Sequence, residues 1–250
     1  MTETPLRIAM WSGPRNMSTT MMRSFGARSD TICVDEPFYA AYLKHSGAQH
    51  PMQDEIFAAQ SDDPRMVAAA LVEAPTRVAP IFYQKQMTHH MLPDFDRAWM
   101  AACRNVFLIR HPARVIASYA RKMTEVTLSA IGFAQQLSLF DTAQKIEGRT
   151  PLVIDSDDIL RAPAETLRAL CSALRIAWDP VMLAWPSGPR PEDGAWAPHW
   201  YDAVWKSTGF GPPVPDLRRV SPEYQAVLRE ATNIYEQLAA HRIRCGAQDR

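Results

Sequence analysis

The sequence predicts a three-layer α/β fold, with a central, mainly parallel β-sheet flanked by helices. Two observations carry this prediction. Five short apolar runs recur, each leading into a helical pattern, the alternation expected of parallel β-α units. Charged and hydroxyl residues then gather just after the runs, where the carboxyl edge of an open parallel sheet binds ligands. The length agrees: 250 residues, 47% of them hydrophobic, bury roughly three-quarters of the unfolded surface and form a full core without staples.

The first run, Leu6 to Trp11, is followed by Ser12-Gly13-Pro14-Arg15-Asn16-Met17 and a helix from Ser18 to about Ala27. The second, Thr31 to Val34, ends in Asp35-Glu36-Pro37. The third runs from Val78 to Tyr83, ahead of Lys85, and the fourth from Asn105 to Ile109, ending at Arg110-His111-Pro112. The fifth, Pro151 to Ile154, leads into Asp155-Ser156-Asp157-Asp158. Apolar residues at three- and four-residue spacing predict helices over Val115 to Lys122 and Leu128 to Glu147. Pro163 to Leu174 is a further helix with Pro in its first turn. From about 186 to 220 the composition turns to Pro, Gly and Trp, an ordered but irregular segment. A C-terminal helix over about 221 to 241 follows, with Ser221 as cap and Pro222 at its first position. One domain over 1–250 accounts for all of this.

Composition excludes several classes of function. With 27 Lys+Arg against 27 Asp+Glu, the chain lacks the basic excess that coats nucleic acid, so no nucleic-acid partner is expected. Cysteines 33, 103, 171 and 245 show no CxxC spacing, which argues against a disulfide framework or a zinc site and for a reducing compartment. No run approaches the roughly 18 apolar residues of a membrane span. Met1 to Leu6 shows no leader pattern. A cytoplasmic protein without a membrane partner is the expectation. Only 10 Gly stand beside 20 Pro, so any phosphate loop must work with few glycines.

Two edges suit anions. After the first run, a tight turn and a hydroxyl-rich helix start aim free backbone N–H groups at one spot. The pattern GxxxxGK[ST] is not met: counting from Gly13, Ser18 stands at the second Gly and Thr19 at the Lys. Arg15 supplies a planar cation, and Ser18, Thr19 and Thr20 supply hydroxyls. After the fourth run, Arg110 sits at the strand tip and Ser118 eight residues on, inside the helix begun by Pro112. Taken alone, each edge has a plain structural reading, as a helix start or as an arginine paired with a carboxylate.

Together they resemble the sulfotransferase family, enzymes using 3′-phosphoadenosine-5′-phosphosulfate (PAPS). The family's 5′-phosphosulfate loop, Pro-Lys-Ser-Gly-Thr-Thr, is similar to Pro14-Arg15-Asn16-Met17-Ser18-Thr19. Its 3′-phosphate signature, an Arg at a strand end and a Ser eight residues later, resembles Arg110 and Ser118. The similarity runs from about Leu6 to Leu174, and is nearest to bacterial sulfotransferase-like proteins with a Gly-Pro-Arg-Asn loop and a second strand ending in Asp-Glu-Pro. Arg15 replaces the usual Lys, Met17 the usual Gly, and Thr20 stands where many members place a Trp. The resemblance implies a P-loop-type sandwich, with PAPS as donor, 3′,5′-adenosine bisphosphate as product and no metal. Gly13, Pro14, Arg15, Asn16, Met17, Ser18, Thr19, Thr20, Arg110 and Ser118 would hold the donor.

Three further edges offer catalytic groups. Asp35-Glu36-Pro37 would lie beside the phosphosulfate loop, where Glu36 either acts as general base or caps a helix begun by Pro37. Tyr83 to Pro93 resembles a stretched form of the family's Lys-Thr-His-Leu-Pro run, with Lys85 near the transferring group and His89 or His90 as an alternative base. Zinc is a weak reading of His89-His90, which lack further ligands at suitable spacing. His199 to Phe210 resembles a late Gly-x-Trp-Lys-x-x-Phe element without its first Gly; either Lys206 contacts the cofactor from a mobile loop, as the resemblance implies, or the aromatics form a small satellite core.

The reaction expected is sulfuryl transfer from PAPS to a hydroxyl or amine of a small acceptor. Arg15 and Lys85 meet the charge on donor and leaving group, and Glu36, or else His89 or His90, takes the proton. The rivals are a P-loop kinase or nucleotide hydrolase, in which Leu152 to Asp155 would be a magnesium-holding strand, and a catalytically silent binding protein. The acceptor would be met by residues 39–75 and 123–140, and oligomeric state is not legible.

Overall fold

The computed structural model describes residues 4–73, 79–123, 125–213, 217 and 219–244. It holds one five-stranded sheet, every strand parallel to its neighbours, in the order β2-β3-β1-β4-β5. In chain order the elements are β1 (Leu6–Ser12), α1 (Ser18–Gly26), β2 (Thr31–Asp35), α2 (Tyr39–Ser46), α3 (Gln53–Ala59), α4 (Pro64–Val72) and β3 (Ile81–Met87). They continue with β4 (Arg104–Ile109), α5 (Pro112–Tyr119), α6 (Phe133–Glu147), β5 (Leu152–Asp155), α7 (Ser156–Arg161) and α8 (Pro163–Leu174). Two one-turn helices, α9 (Ala197–Trp200) and α10 (Asp202–Trp205), lie in the Trp-rich segment, and α11 (Gln225–Ala239) closes the fold.

Strand periodicity sorts the core into two layers. Ile8 and Met10 face Met21, Met22 and Phe25 of α1 and Leu167 and Leu170 of α8. Ala9 and Trp11 face Phe38, Trp99, Leu139 and Leu238 on the other side. The buried Trp11 indole donates to Asn105 Oδ1 at 3.0 Å, which ties β1 to β4 through a satisfied polar group. The chain leaves β1 for the far edge at β2, returns to β3, then crosses β1 to β4. The carboxyl end of β1 is therefore the switch point of the sheet, where ligand crevices form.

Four boundaries differ from the sequence expectation. The third strand begins at Ile81 and extends through Gln84, Lys85 and Gln86, polar residues that are all buried; Val78 lies outside the described residues. The α6 helix starts at Phe133, because Gly132 holds a left-handed φ of 74° that interrupts the pattern begun at Leu128. The α5 helix runs from Pro112 to Tyr119, its N-terminus capped by the His111 ring nitrogen accepting from the Ala113 N–H. Ser221 makes no side-chain cap; Pro222–Tyr224 form a single 3₁₀ turn before α11.

Candidate active site

The loop after β1 is shaped by two glycines. A Cβ on Gly13 would stand 2.6 Å from the Ile131 carbonyl oxygen, and one on Gly132 would stand 2.7 Å from Thr88 Oγ1. The Thr88 hydroxyl donates to the Gly132 carbonyl at 3.0 Å. Thus the 127–132 turn is clamped on the loop from outside, at residues no sequence motif had marked. Ser156 Oγ lies within hydrogen-bond distance of the Ile109 carbonyl at 2.8 Å and the Asn16 carbonyl at 3.0 Å, and Asn16 Nδ2 donates to the Leu108 carbonyl.

Arg15 and Met17 both take left-handed φ, 65° and 67°. Non-glycine residues are strained there by about 1–2 kcal/mol. Met17 is the N-cap of α1, and its side chain makes no cap bond. The first N–H groups of α1 therefore point outward with the positive end of the helix dipole. Beside them lie the hydroxyls of Ser18 and Thr19, both buried, and the half-buried Thr20.

The two anion edges meet. Arg15 Nε donates to Ser118 Oγ at 2.9 Å, Arg121 reaches the same hydroxyl at 3.4 Å, and Arg110 donates to the Arg15 carbonyl at 2.7 Å. Among the described residues, no carboxylate lies within ion-pair distance of Arg15, Arg110 or Arg121. Arg110 Nε is buried and has no partner. Burial, and then the charge of Arg121, lowers the affinity of Arg15 for its proton, and burial does the same for Arg110. Clustered, partly desolvated guanidiniums with open donors fit a phosphate or sulfate. Arg114 by contrast is paired with Asp157 at 3.0 Å.

A family model described as a sulfotransferase domain matches residues 6–242. The chain belongs to the sulfotransferase domain family. Its match passes well beyond Leu174, through the Trp-rich segment and α11. Two solved structures share the fold: the sulfotransferase domain of the Synechococcus PCC 7002 olefin synthase, with TM-score 0.59, 17% identity and coverage of 94% of this chain and 96% of that one, and the sulfotransferase domain from the curacin biosynthetic pathway, with TM-score 0.57, 16% identity and coverage of 94% and 98%. Two Arabidopsis thaliana proteins, branched-chain-amino-acid aminotransferase-like proteins 2 and 1, are each 33% identical over 94% and 95% of this chain. The chain spans only 41% and 42% of their length.

In this sulfotransferase domain the second cluster lies at the ends of β2 and β3. Lys85 Nζ is 2.8 Å from Asp35 Oδ1, 2.6 Å from Glu36 Oε1 and 2.6 Å from the Tyr201 hydroxyl. The side chains of Lys85 and Asp35 are 1% exposed and that of Glu36 is 11% exposed. Neither carboxylate caps a helix: α2 begins at Tyr39, whose N–H donates to the Glu36 carbonyl. Glu36 takes a left-handed φ of 41°, which swings its carboxylate back to Lys85. One ammonium faces two carboxylates, leaving one negative charge in excess. Burial, with Asp35 adding to it, outweighs Lys85 and raises the Glu36 pKa to about 7. Lys85 is held charged, its affinity raised by Asp35 and Glu36 against burial.

His89 and His90 sit next to this cluster as neutral rings. Burial lowers the pKa of His89 to about 4 and that of His90 well below the ordinary value. His90 makes stacked contacts with both Tyr39 and Tyr42, at 4.3 and 4.8 Å, with its Nδ1 3.8 Å from Glu36 Oε2. Both Nδ1 atoms are buried without a partner. Among the described residues no group of three or more His, Cys, Asp or Glu could hold a metal.

Two placements differ in kind from the rest. Lys206 is exposed at the C-cap of α10, while Tyr201, five residues earlier and unmarked by sequence reasoning, enters the buried cluster. Asp155 at the end of β5 is engaged: its carboxylate caps α7 by accepting from the Asp157 N–H and accepts the Tyr235 hydroxyl at 2.6 Å. That geometry weakens the magnesium-strand reading. Among the described residues, no helix is long and apolar enough to cross a membrane.

Proposed function

We propose that this sulfotransferase domain moves a sulfuryl group from PAPS to a hydroxyl or amine of a small acceptor. The observation that carries the reading is the convergence of Arg15, Arg110 and Ser118 beside the uncapped start of α1, with no carboxylate in ion-pair range among the described residues. In this reading the N–H groups of α1, with Ser18 and Thr19, hold the 5′-phosphate, and Arg110 and Ser118 hold the 3′-phosphate. Arg15, bonded to Ser118, spans both sides. Gly13, Pro14, Asn16, Met17 and Thr20 form the loop wall, and Lys206 belongs to the outer rim.

When bound, PAPS supplies the sulfuryl group and leaves as the bisphosphate. The chain's own work is positioning and charge compensation. Glu36 Oε1 is pinned by Lys85, whereas Oε2 accepts no hydrogen bond among the described residues, so Oε2 is the atom that takes the acceptor proton. A base whose pKa lies near 7 suits proton transfer at neutral pH. Lys85, bound to three oxygens, acts through Glu36, and the guanidinium of Arg15 answers the charge on the leaving side. Neutral His89 and His90 shape the acceptor wall and keep the base in a water-poor setting.

Calorimetric titration with 3′,5′-adenosine bisphosphate tests the reading. Wild type is expected to bind, and Arg110→Ala and Ser118→Ala to bind at least tenfold more weakly. No binding by wild type, or full binding by Arg110→Ala, would overturn it. Binding without transfer to any of a broad panel of alcohols, phenols and amines would leave a silent binding protein instead.

A further inference from the structure

The Trp-rich segment reaches into the base. Gly194 N–H donates to Asp35 Oδ2 at 3.1 Å, and the Tyr201 hydroxyl lies 2.7 Å from the same oxygen. The Tyr201 oxygen also accepts from Lys85, and the Trp196 indole N–H reaches it at 3.3 Å. Asp35 is thus held at Oδ2 by the segment and presents Oδ1 to Lys85 at 2.8 Å.

We propose that Asp35 and Tyr201 are positioning residues, which lock the Lys85 ammonium against Oε1 of Glu36 and leave Oε2 as the proton-accepting atom. The proposal rests on the reading of Glu36 as base, but its geometry stands without the donor. Both are buried and both bond the Lys85 ammonium, so they act on Glu36 through Lys85. The charged and titratable groups facing Glu36 are Lys85 on β3, Asp35 on β2, Tyr201 in the segment, His90 in the turn after β3 and Tyr39 on α2. Of these, only Lys85 is cationic at neutral pH, and Asp35 sets how much of its charge Glu36 receives. The acid-base balance is therefore a property of four residues from three parts of the chain.

The test is direct titration of the Glu36 carboxyl by NMR on protein carrying ¹³C-carboxyl glutamate, the signal assigned by its loss in Glu36→Gln. Asp35→Asn keeps shape and removes a charge, so the Glu36 midpoint should fall by about one pH unit or more. Lys85→Met should raise it. Tyr201→Phe, which withdraws a donor from Asp35 and concentrates its charge, should raise it by less. Folding of each variant is checked by circular dichroism. A purely structural role would weaken stability and leave the midpoints where they were. Unchanged midpoints in folded Asp35→Asn and Tyr201→Phe, or a rise in Asp35→Asn, would overturn the proposal. If Asp35→Asn does not fold, Tyr201→Phe decides: an unmoved midpoint overturns it. Failure to bind the bisphosphate with these shifts intact would overturn the donor reading alone.

Discussion

At the scale of single residues, Glu36 has the clearest consequence for the free protein. A carboxyl whose folded pKa is raised from 4.5 to about 7 binds its proton more tightly in the native state than in the unfolded one. Its contribution to stability is thus full below about 4.5 and is lost as pH rises through about 7. Glu36→Gln mimics the protonated form at all pH values, so it removes this loss. Thermal melts should show Glu36→Gln gaining on wild type between pH 5 and pH 8, by an order of 2–3 kcal/mol. A constant difference across that range would refute the assignment. Met17 gives a second prediction. Its left-handed φ of 67° suits the glycine that the resemblance implies at this position. Met17→Gly should stabilise by about 1 kcal/mol, raising the melting temperature by roughly 2–4 °C. The sequence marked Glu36, Arg15 and Arg110 because each ends or follows an apolar run, and Ser118 by its eight-residue spacing from Arg110. It did not mark Tyr201 or Asp35's second role. Those depend on a segment that approaches from some 160 positions away, and long-range pairing leaves no local signal.

At the scale of elements, the loop after β1 and the segment after α8 are joined through α1. Arg23, on α1 and 2% exposed, lies 2.7 Å from Asp193, and the Trp205 indole donates to the same carboxylate at 3.0 Å. Removing the guanidinium leaves Asp193, with a side chain 5% exposed, without its cation. Arg23→Ala should therefore destabilise by about 3 kcal/mol, and limited proteolysis should cut first within 186–205. Gly13→Ala should act differently. The added methyl meets backbone, the Ile131 carbonyl at 2.6 Å, so the 127–132 turn must shift. A destabilisation of about 1–3 kcal/mol should come with weakened bisphosphate binding, read by calorimetry. A protein in which both values match wild type would show that the clamp is dispensable. Elements were legible where periodicity was clean, as in β1, β4 and α8. They were not where burial of polar residues disguised a strand. Gln84, Lys85 and Gln86 are at most 1% exposed, and they read as a loop because their partners, such as the Leu71 carbonyl for Gln84, are remote.

At the scale of the whole molecule, the parallel sheet brings Arg15 and Arg110 together at its carboxyl edge while the net charge is zero. This arrangement makes ligand binding and global stability one measurable quantity. A bisphosphate that binds only the native state raises the free energy of unfolding by RT ln(1 + [L]/Kd), about 2.7 kcal/mol at one hundred times Kd. For a chain of this length that corresponds to a rise of roughly 5–10 °C in melting temperature. The shift should shrink as salt rises, since phosphate contacts compete with bulk anions. Arg110→Ala and Ser118→Ala should forfeit most of it while melting close to wild type without ligand, because neither removes a partner from a buried carboxylate. Glu36→Gln should keep the full shift, because Glu36 stands at the end of β2 and not in the Arg15–Arg110–Ser118 group. Equal loss in Glu36→Gln and Arg110→Ala would mean that the two clusters form one binding surface, and would undo the separation of donor binding from proton transfer on which the mechanism rests.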